Sequence, residues 1–295
     1  MMRVTDNIIQ RNATLSLQSN LQRVAQAQAQ VSSGQKYSSF ADDPRAQSSI
    51  MESSGALRAL DQYRRNIGDA TARTNLEDSV LSQLTDAVDR AKEIAIQQGT
   101  SSSTASTRGG AKAEVDNLIT FIASLGNTKY QDGYLFGGDN ITDAPLTTSP
   151  PFYTTAMPPG GTHTTEIGAG QLFKSNHNAK EMLLDTGVLD SLKSLSTALG
   201  ANDPTAIGAS LSGLGTSQQG VQALVGDLGA RQNHLDITNS NLDALETNLK
   251  TFKSNLSDVD QAQAMTDLVS RQTTYQAAML ATSRVIGMTV TNYLK

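Results

Sequence analysis

The sequence predicts a mainly α protein: a long antiparallel coiled coil, or helical rod, built from both chain ends, with a small β-rich insert in the middle. Three observations predict it. Apolar residues recur at intervals of seven near both ends of the chain, the spacing of helices that pack along a narrow seam. Aromatics make up 4% of residues and Trp is absent, so the core draws on thin aliphatic side chains instead of aromatic bulk. Five of the seven prolines lie between Pro145 and Pro159, and six of the thirteen Phe and Tyr residues between Tyr130 and Phe173, which sets the middle apart as turn- and strand-rich.

The first helix runs from about Thr5 to Ser33. Leu17, Val24 and Val31 are spaced by seven, and Ile8, Leu15 and Leu21 flank the same stripe. A stripe this narrow depends on a packing partner for its stability. "VSSGQKYSSFADDPRA", residues 31–46, then interrupts the helix. Gly34 suits the position after a helix end, where φ is positive. Asp43 suits the cap of the next helix and Pro44 its first turn. With Asp42 beside them, these residues predict a joint between two helices.

The second helix runs from Pro44 to about Gln98, roughly 80 Å at 1.5 Å per residue. Leu60, Ile67, Leu81 and Val88 share one heptad position, with Thr74 between them; Tyr63, Ala70, Leu84 and Ala91 share a neighbouring one. "GTSSSTASTRGG", from Gly99 to Gly110, reads as a loop. A shorter helix follows, with Val115, Leu118, Ile119, Ile122 and Leu125 on its buried face. "DGYLFGG" and "THTTEIGAGQLF" carry turn and strand signatures, so residues 139–180 read as the β-rich insert. Helix returns near Ala179, turns at "GANDPTAIG" with an Asp203–Pro204 start, and continues as the last long helix.

Leu228, Leu235, Leu242, Leu249 and Leu256 follow one another by seven in that helix. Leu242, Leu245, Leu249 and Phe252 are expected in the helix–helix seam of the rod. Beyond "LSDVDQAQ" the phase slips, which marks a second joint, with Ser257 or Asp258 as its expected cap. The stripe resumes as Leu268, Tyr275, Met279, Ile286 and Tyr293. The expected organisation is therefore terminal coiled-coil segments at 1–43 and 257–295, a rod at 44–138 and 181–256, and the insert at 139–180. An antiparallel rod brings the two outer helices out side by side.

No catalytic constellation is legible. His163, His177 and His234 are scattered; the first two are expected at the surface of the insert, the third as a partly exposed interface residue. There is no H-E-x-x-H, and the glycines at 137–138 and 168–170 match no phosphate loop. Asp42 and Asp43 supply too few oxygens for a calcium loop. The chain without Cys has no disulfide or thiolate metal site. A net charge of −5 without a basic stripe argues against nucleic acid, and no run reaches the length of a membrane span. "MMRVTDNIIQRN" lacks the apolar core of a cleaved secretory signal. The expectation is a non-enzyme without cofactor or metal.

"QVSSGQKYSSFADDPRAQ" at 30–47 and "LSDVDQAQAMTDLVSRQTTYQAAMLATSRVIGMTVTNYL" at 256–294 resemble the terminal signatures of the flagellin-like axial proteins of bacterial flagella. The opening "MRVTDNII", the proline in "DDP", the stretch "DGYLFGGDNITDAPL" and the ending "VTNYL" resemble the hook–filament junction branch more than filament flagellin. The resemblance implies a structural axial component placed between hook-associated protein 1 on the hook side and flagellin on the filament side. It implies copies of the chain in a ring, a flagellar export chaperone on the C-terminal segment, and secretion through the flagellar type III apparatus to the outside of the cell. It also implies terminal segments that form the innermost coiled-coil layer and order on assembly, with Ile8, Leu15, Leu17, Leu21, Val24, Val31, Leu268, Tyr275, Met279, Ile286 and Tyr293 as the assembly or chaperone interface. A short flagellin subunit and a cytoplasmic coiled-coil signalling protein are the alternative readings.

Overall fold

A computed structural model describes residues 2–37, 39–147 and 161–293, with side chains from residue 8 to residue 284 of these, residue 9 excepted. In chain order the elements are α1 (Met2–Ser33), α2 (Pro44–Gln98), α3 (Ala105–Gly126), β1 (Lys129–Tyr130), β2 (Gly133–Tyr134), β3 (Thr164–Gly168), β4 (Gln171–Lys174), a π-helical stretch (Lys180–Asp185), α4 (Val188–Gly200), α5 (Pro204–Ser257) and α6 (Gln261–Tyr293). They form two compact units, one of residues 1–59 with 244–295 and one of residues 60–243.

In the second unit the heptads decide the core. On α2, Leu60, Ile67, Thr74, Leu81, Val88 and Ala95 are all buried. On α5, Ile207, Leu214, Val221, Leu228, Leu235 and Leu242 are buried in one unbroken sevenfold series, which extends upstream the leucine repeat read from the sequence. The two helices are antiparallel. Arg64 of α2 pairs with Asp243 of α5, Gln232 donates to Asn75 at 3.4 Å, and Lys92 donates to Gln218 at 2.5 Å, so partners ascend one helix while descending the other. α3 and α4 pack together, burying Val115, Ile119 and Ile122 with Leu192, Leu195 and Leu199.

Two two-stranded antiparallel sheets decorate this rod. β1 and β2 pair Lys129 with Tyr134 and Tyr130 with Gly133; Gln131 takes φ +51° in the turn. β3 and β4 pair Thr164 with Lys174 through to Gly168 with Gln171, with an irregularity between Glu166 and Gly168. The alternation of the strands buries Ile167 and Phe173 and leaves Leu172 exposed. Tyr130 Oη donates to Asp69 Oδ1 at 3.0 Å, and Asn66 Nδ2 donates to the Glu166 carbonyl at 2.6 Å. Each hairpin is thereby tied to α2.

Two expectations need correcting here. The loop read as Gly99–Gly110 ends at Thr104, which caps α3 in a reciprocal pair of hydrogen bonds with Thr107. Arg108, inside the supposed loop, is buried and donates to the Gln98 and Thr100 carbonyls and to Asn202 Oδ1. A cluster of Ser and Thr looks like solvated turn in sequence, yet here it supplies the helix cap. His177, expected at the surface, is 4% exposed; its partners lie 100 and 50 residues away, beyond any local signal. His163, also expected at the surface, is half-buried against Ser175 Oγ at 2.9 Å, and His234, expected partly exposed at an interface, is exposed and stands edge-on to Phe173.

Candidate functional site: the double joint and the terminal helix pair

Four helix ends meet in the first unit, and at each a named partner satisfies at least one of the orphan backbone groups. α1 stops at Gly34, whose φ of +72° is the left-handed geometry that glycine adopts without strain. Its N–H donates to the Gln30 carbonyl at 2.9 Å, closing the helix. Asp43 caps α2, with Oδ1 accepting from Arg45 N at 3.0 Å and Ala46 N at 3.1 Å, and Pro44 takes the first helical position. Asp42 Oδ2 accepts from Ser39 N at 2.9 Å, folding the polar stretch into a turn.

The second joint lies directly against the first. Gln35 and Asp258 form an antiparallel β-bridge. Val259 N donates to the Gly34 carbonyl at 2.9 Å, and Lys36 N donates to the Ser257 carbonyl at 2.7 Å. Lys36 Nζ reaches the Asn255 carbonyl at 2.9 Å, placing a cation on the negative C-terminal end of α5. Asp260 caps α6, its Oδ1 accepting from Ala262 N at 2.9 Å and Gln263 N at 3.1 Å. The cap expected at Ser257 or Asp258 is thus corrected to Asp260. Asp258 instead accepts from the hydroxyls of Ser254 and Ser257 at 2.5 and 2.6 Å. Those two hydrogen bonds, helped by the charges of Lys36 and Lys253, hold its carboxyl below the ordinary carboxylate range.

From this knot α1 and α6 run antiparallel against each other. Residues 13, 17, 20, 24, 27 and 31 of α1 and residues 264, 268, 271, 275, 278 and 282 of α6 are buried or half-buried. Both sets alternate steps of four and three, the signature of a two-helix seam. Leu17, Val24, Val31, Leu268 and Tyr275 therefore lie in the seam as a group, around buried Ala27 and Ala264. The small alanines carried no hydrophobic signal strong enough to single them out in the sequence.

The remaining interface residues are not in that seam. Ile8, Leu15, Leu21 and Met279 are about half exposed, alongside Met265, Val269 and Leu280. The side chains of Ile286 and Tyr293 lie outside the described residues. The single C-terminal stripe read from the sequence is thus two stripes, one facing α1 and one facing away. Of the expected rod seam, Leu242 is 7% exposed and Leu249 is half-buried. Leu245 at 47% and Phe252 at 50% lie outside the seam. The second heptad series on α5 includes Ser217, Arg231 and Thr238 as well as these two, and of its apolar members only half-buried Leu224 packs against the core.

Among the described residues no His, Cys, Asp and Glu cluster could hold a metal, and no helix is long and apolar enough to cross a membrane. What the geometry offers is a hydrogen-bonded hinge block and an amphipathic helix pair with an unpartnered apolar face.

Comparison with known proteins converges on one family. The bacterial flagellin N-terminal helical region matches residues 4–141 and the flagellin C-terminal helical region matches residues 211–294. Flagellar hook-associated protein 3 of Escherichia coli K12 is 26% identical over 313 residues, covering 92% of this chain and 96% of the relative. Its counterpart in Salmonella typhimurium is 30% identical over 118 residues, 40% of this chain and 37% of the relative. Among solved structures, a flagellar hook-associated protein of Vibrio parahaemolyticus superposes with a TM-score of 0.66 at 20% identity, over 74% of this chain and all of that one. Bacillus cereus FlgL superposes at 0.57 with 21% identity, over 68% and 97% of the two chains; both likenesses are of fold. With both flagellin helical regions in place, meeting at the double joint and flanking the insert, the chain belongs to the flagellin family and is similar over most of its length to flagellar hook-associated protein 3.

Proposed function

We propose that this chain is a structural adaptor of the bacterial flagellum, joining the hook-side junction protein to the flagellin filament. The observation that carries the reading is the second apolar face of α1 and α6, with Ile8, Leu15, Leu21, Val269 and Leu280 exposed along it. Large apolar side chains exposed together along one helix pair are what an interaction surface offers a partner. In this reading the face turns to neighbouring copies of the chain in a ring, while the double joint lets α1 and α6 form a layer separate from the rod.

The assignment of residues 1–43 and 257–295 to the inner layer, 44–138 and 181–256 to the rod and 139–180 to the insert belongs to the same proposal. So do hook-associated protein 1 and flagellin as the two flanking partners, and secretion through the flagellar type III apparatus. Before export the outward apolar face of the C-terminal segment needs cover, and a small export chaperone taking it as an amphipathic helix in a groove supplies it. Assembly and chaperone then compete for one surface. Ile286→Asp, placing an unpaired charge in both interfaces, is expected to weaken both together.

The family resemblance to flagellin itself leaves a filament subunit as the competing reading. Polymerisation of the purified chain separates them. An adaptor stays short of long filaments on its own and assembles when flagellin or hook-side ends are supplied. Long homopolymeric filaments would replace the adaptor reading with that of a short flagellin.

A further inference from the structure

The chain carries eight methionines and no cysteine, so thioethers are the only sulfur it offers to an oxidant. Met182 is fully buried in the core of the second unit, and Met51 on α2 is exposed. Met265 and Met279 lie on α6 at 51% and 47% exposure, and neither belongs to the seam with α1.

These two stand fourteen residues apart, close to four turns at about 3.6 residues per turn. They therefore point the same way, about 21 Å apart along the helix. Val269, one turn on from Met265, and Leu280, next to Met279, are exposed on the same side. Gln272 and Gln276 fill the turns between and are exposed as well. The α6 residues that face α1, at 264, 268, 271, 275, 278 and 282, occupy a different side of the helix. The outer stripe of α6 is thus apolar at two places, and each place joins a methionine to an aliphatic neighbour. Methionine is flexible and polarisable, so it moulds to an uneven partner. The same sulfur is the most oxidisable atom on the stripe.

The reaction is a single oxygen-atom transfer. The thioether sulfur attacks one oxygen of a hydroperoxide, the O–O bond breaks and a sulfur–oxygen bond forms. Sulfur gives up two electrons and the peroxide takes them; with hydrogen peroxide the other oxygen leaves as water. The product, methionine sulfoxide, is polar where the thioether was apolar. Its oxygen accepts hydrogen bonds and is costly to bury without a donor. A methionine sulfoxide reductase restores the thioether.

We propose that Met265 and Met279 are oxidation sites for a peroxide-class oxidant, and that their sulfoxides make the outer stripe of α6 unfit to be buried against a partner. The oxidation follows from exposure and chemistry in the uncovered chain; its consequence for assembly rests on the junction reading.

The test treats the full-length parent and a Met265→Leu/Met279→Leu variant with hydrogen peroxide. Leucine keeps the apolar surface and has no sulfur to oxidise. Peptide mass spectrometry follows each methionine, and retention on a hydrophobic-interaction column follows the surface. Met265 and Met279 are expected to convert about tenfold or more faster than Met182, since susceptibility follows exposure. Retention of the parent is expected to fall and to return after treatment with sulfoxide reductase. The variant, oxidised equally at Met51, is expected to keep its retention. Conversion no faster than that of Met182, or equal loss of retention in parent and variant, would overturn the proposal. A second arm supplies each sample to isolated hooks with flagellin. Untreated parent and oxidised variant are expected to attach filaments, and oxidised parent is not. Oxidised parent that attaches them as well as untreated parent would overturn the consequence for assembly. Untreated parent that attaches none would count against the junction reading, and the mass and column results would still decide the oxidation.

Discussion

At the scale of single residues, the joint is where local chemistry dictates structure most directly. Gly34→Val would force a β-branched residue into φ +72°, costing about 1–2 kcal/mol. An added Cβ would meet only Gln261 Nε2 at 3.4 Å, so the cost is backbone strain and not a clash. The expected outcome is a lowered melting point of the full chain and poorer filament attachment; an unchanged melt would deny Gly34 its role as a stop. Asp258 supplies a pH test. Its carboxyl is held down by Ser254, Ser257 and the nearby lysines, so its contribution is present above the ordinary carboxylate pKa and is lost as pH falls through the depressed value. Asp258→Asn should flatten the acid side of the melting profile, which a pH series of thermal scans would show. Gly34, Asp43 and Asp203 were legible because stop and cap signals act within four residues. Asp260 was not singled out, because Ser257, Asp258 and Asp260 all suit a cap. The choice among them is made by a β-bridge to Gln35, more than two hundred residues away in the chain.

At the scale of the element, the heptads named the helices but not every face. Leu228, Leu235 and Leu242 are buried as their spacing requires. Leu235→Ala is expected to cost roughly 2–5 kcal/mol, the range for a fully buried leucine. Phe252→Ala, at a half-exposed site, should stay within about 1 kcal/mol of the parent in the free chain. Equal losses in denaturant titrations would place the seam on another face. Glu77 stands where the α2 heptad calls for an apolar residue, and only His177, 100 residues on, explains it. The break in the repeat was itself the readable signal. The split of the C-terminal stripe was illegible for a related reason: residues 278 and 279 are neighbours in sequence, yet they fall on seam and outer face according to a partner helix from the other end of the chain.

At the scale of the whole molecule, α1 and α6 carry a seam that holds the pair together and an exposed apolar face that the junction reading assigns to assembly. Leu268→Asp should disrupt the pair itself, because Leu268 is a seam residue. Leu280→Asp, on the exposed face, should leave the free chain within about 0.5 kcal/mol of its stability and abolish attachment of filaments in a swimming strain. A Leu280→Asp strain that swims like the parent would remove that residue from the assembly surface. The antiparallel helical architecture was legible because periodicity reports on packing over many turns; what packs on the outer face was not, because in the proposed reading its partners are other chains. The most direct measurement of the junction role is electron microscopy of a strain lacking this gene, with flagellin assayed in the medium. The account predicts complete hooks that end bare, with flagellin secreted but not retained; filaments attached to those hooks would contradict it.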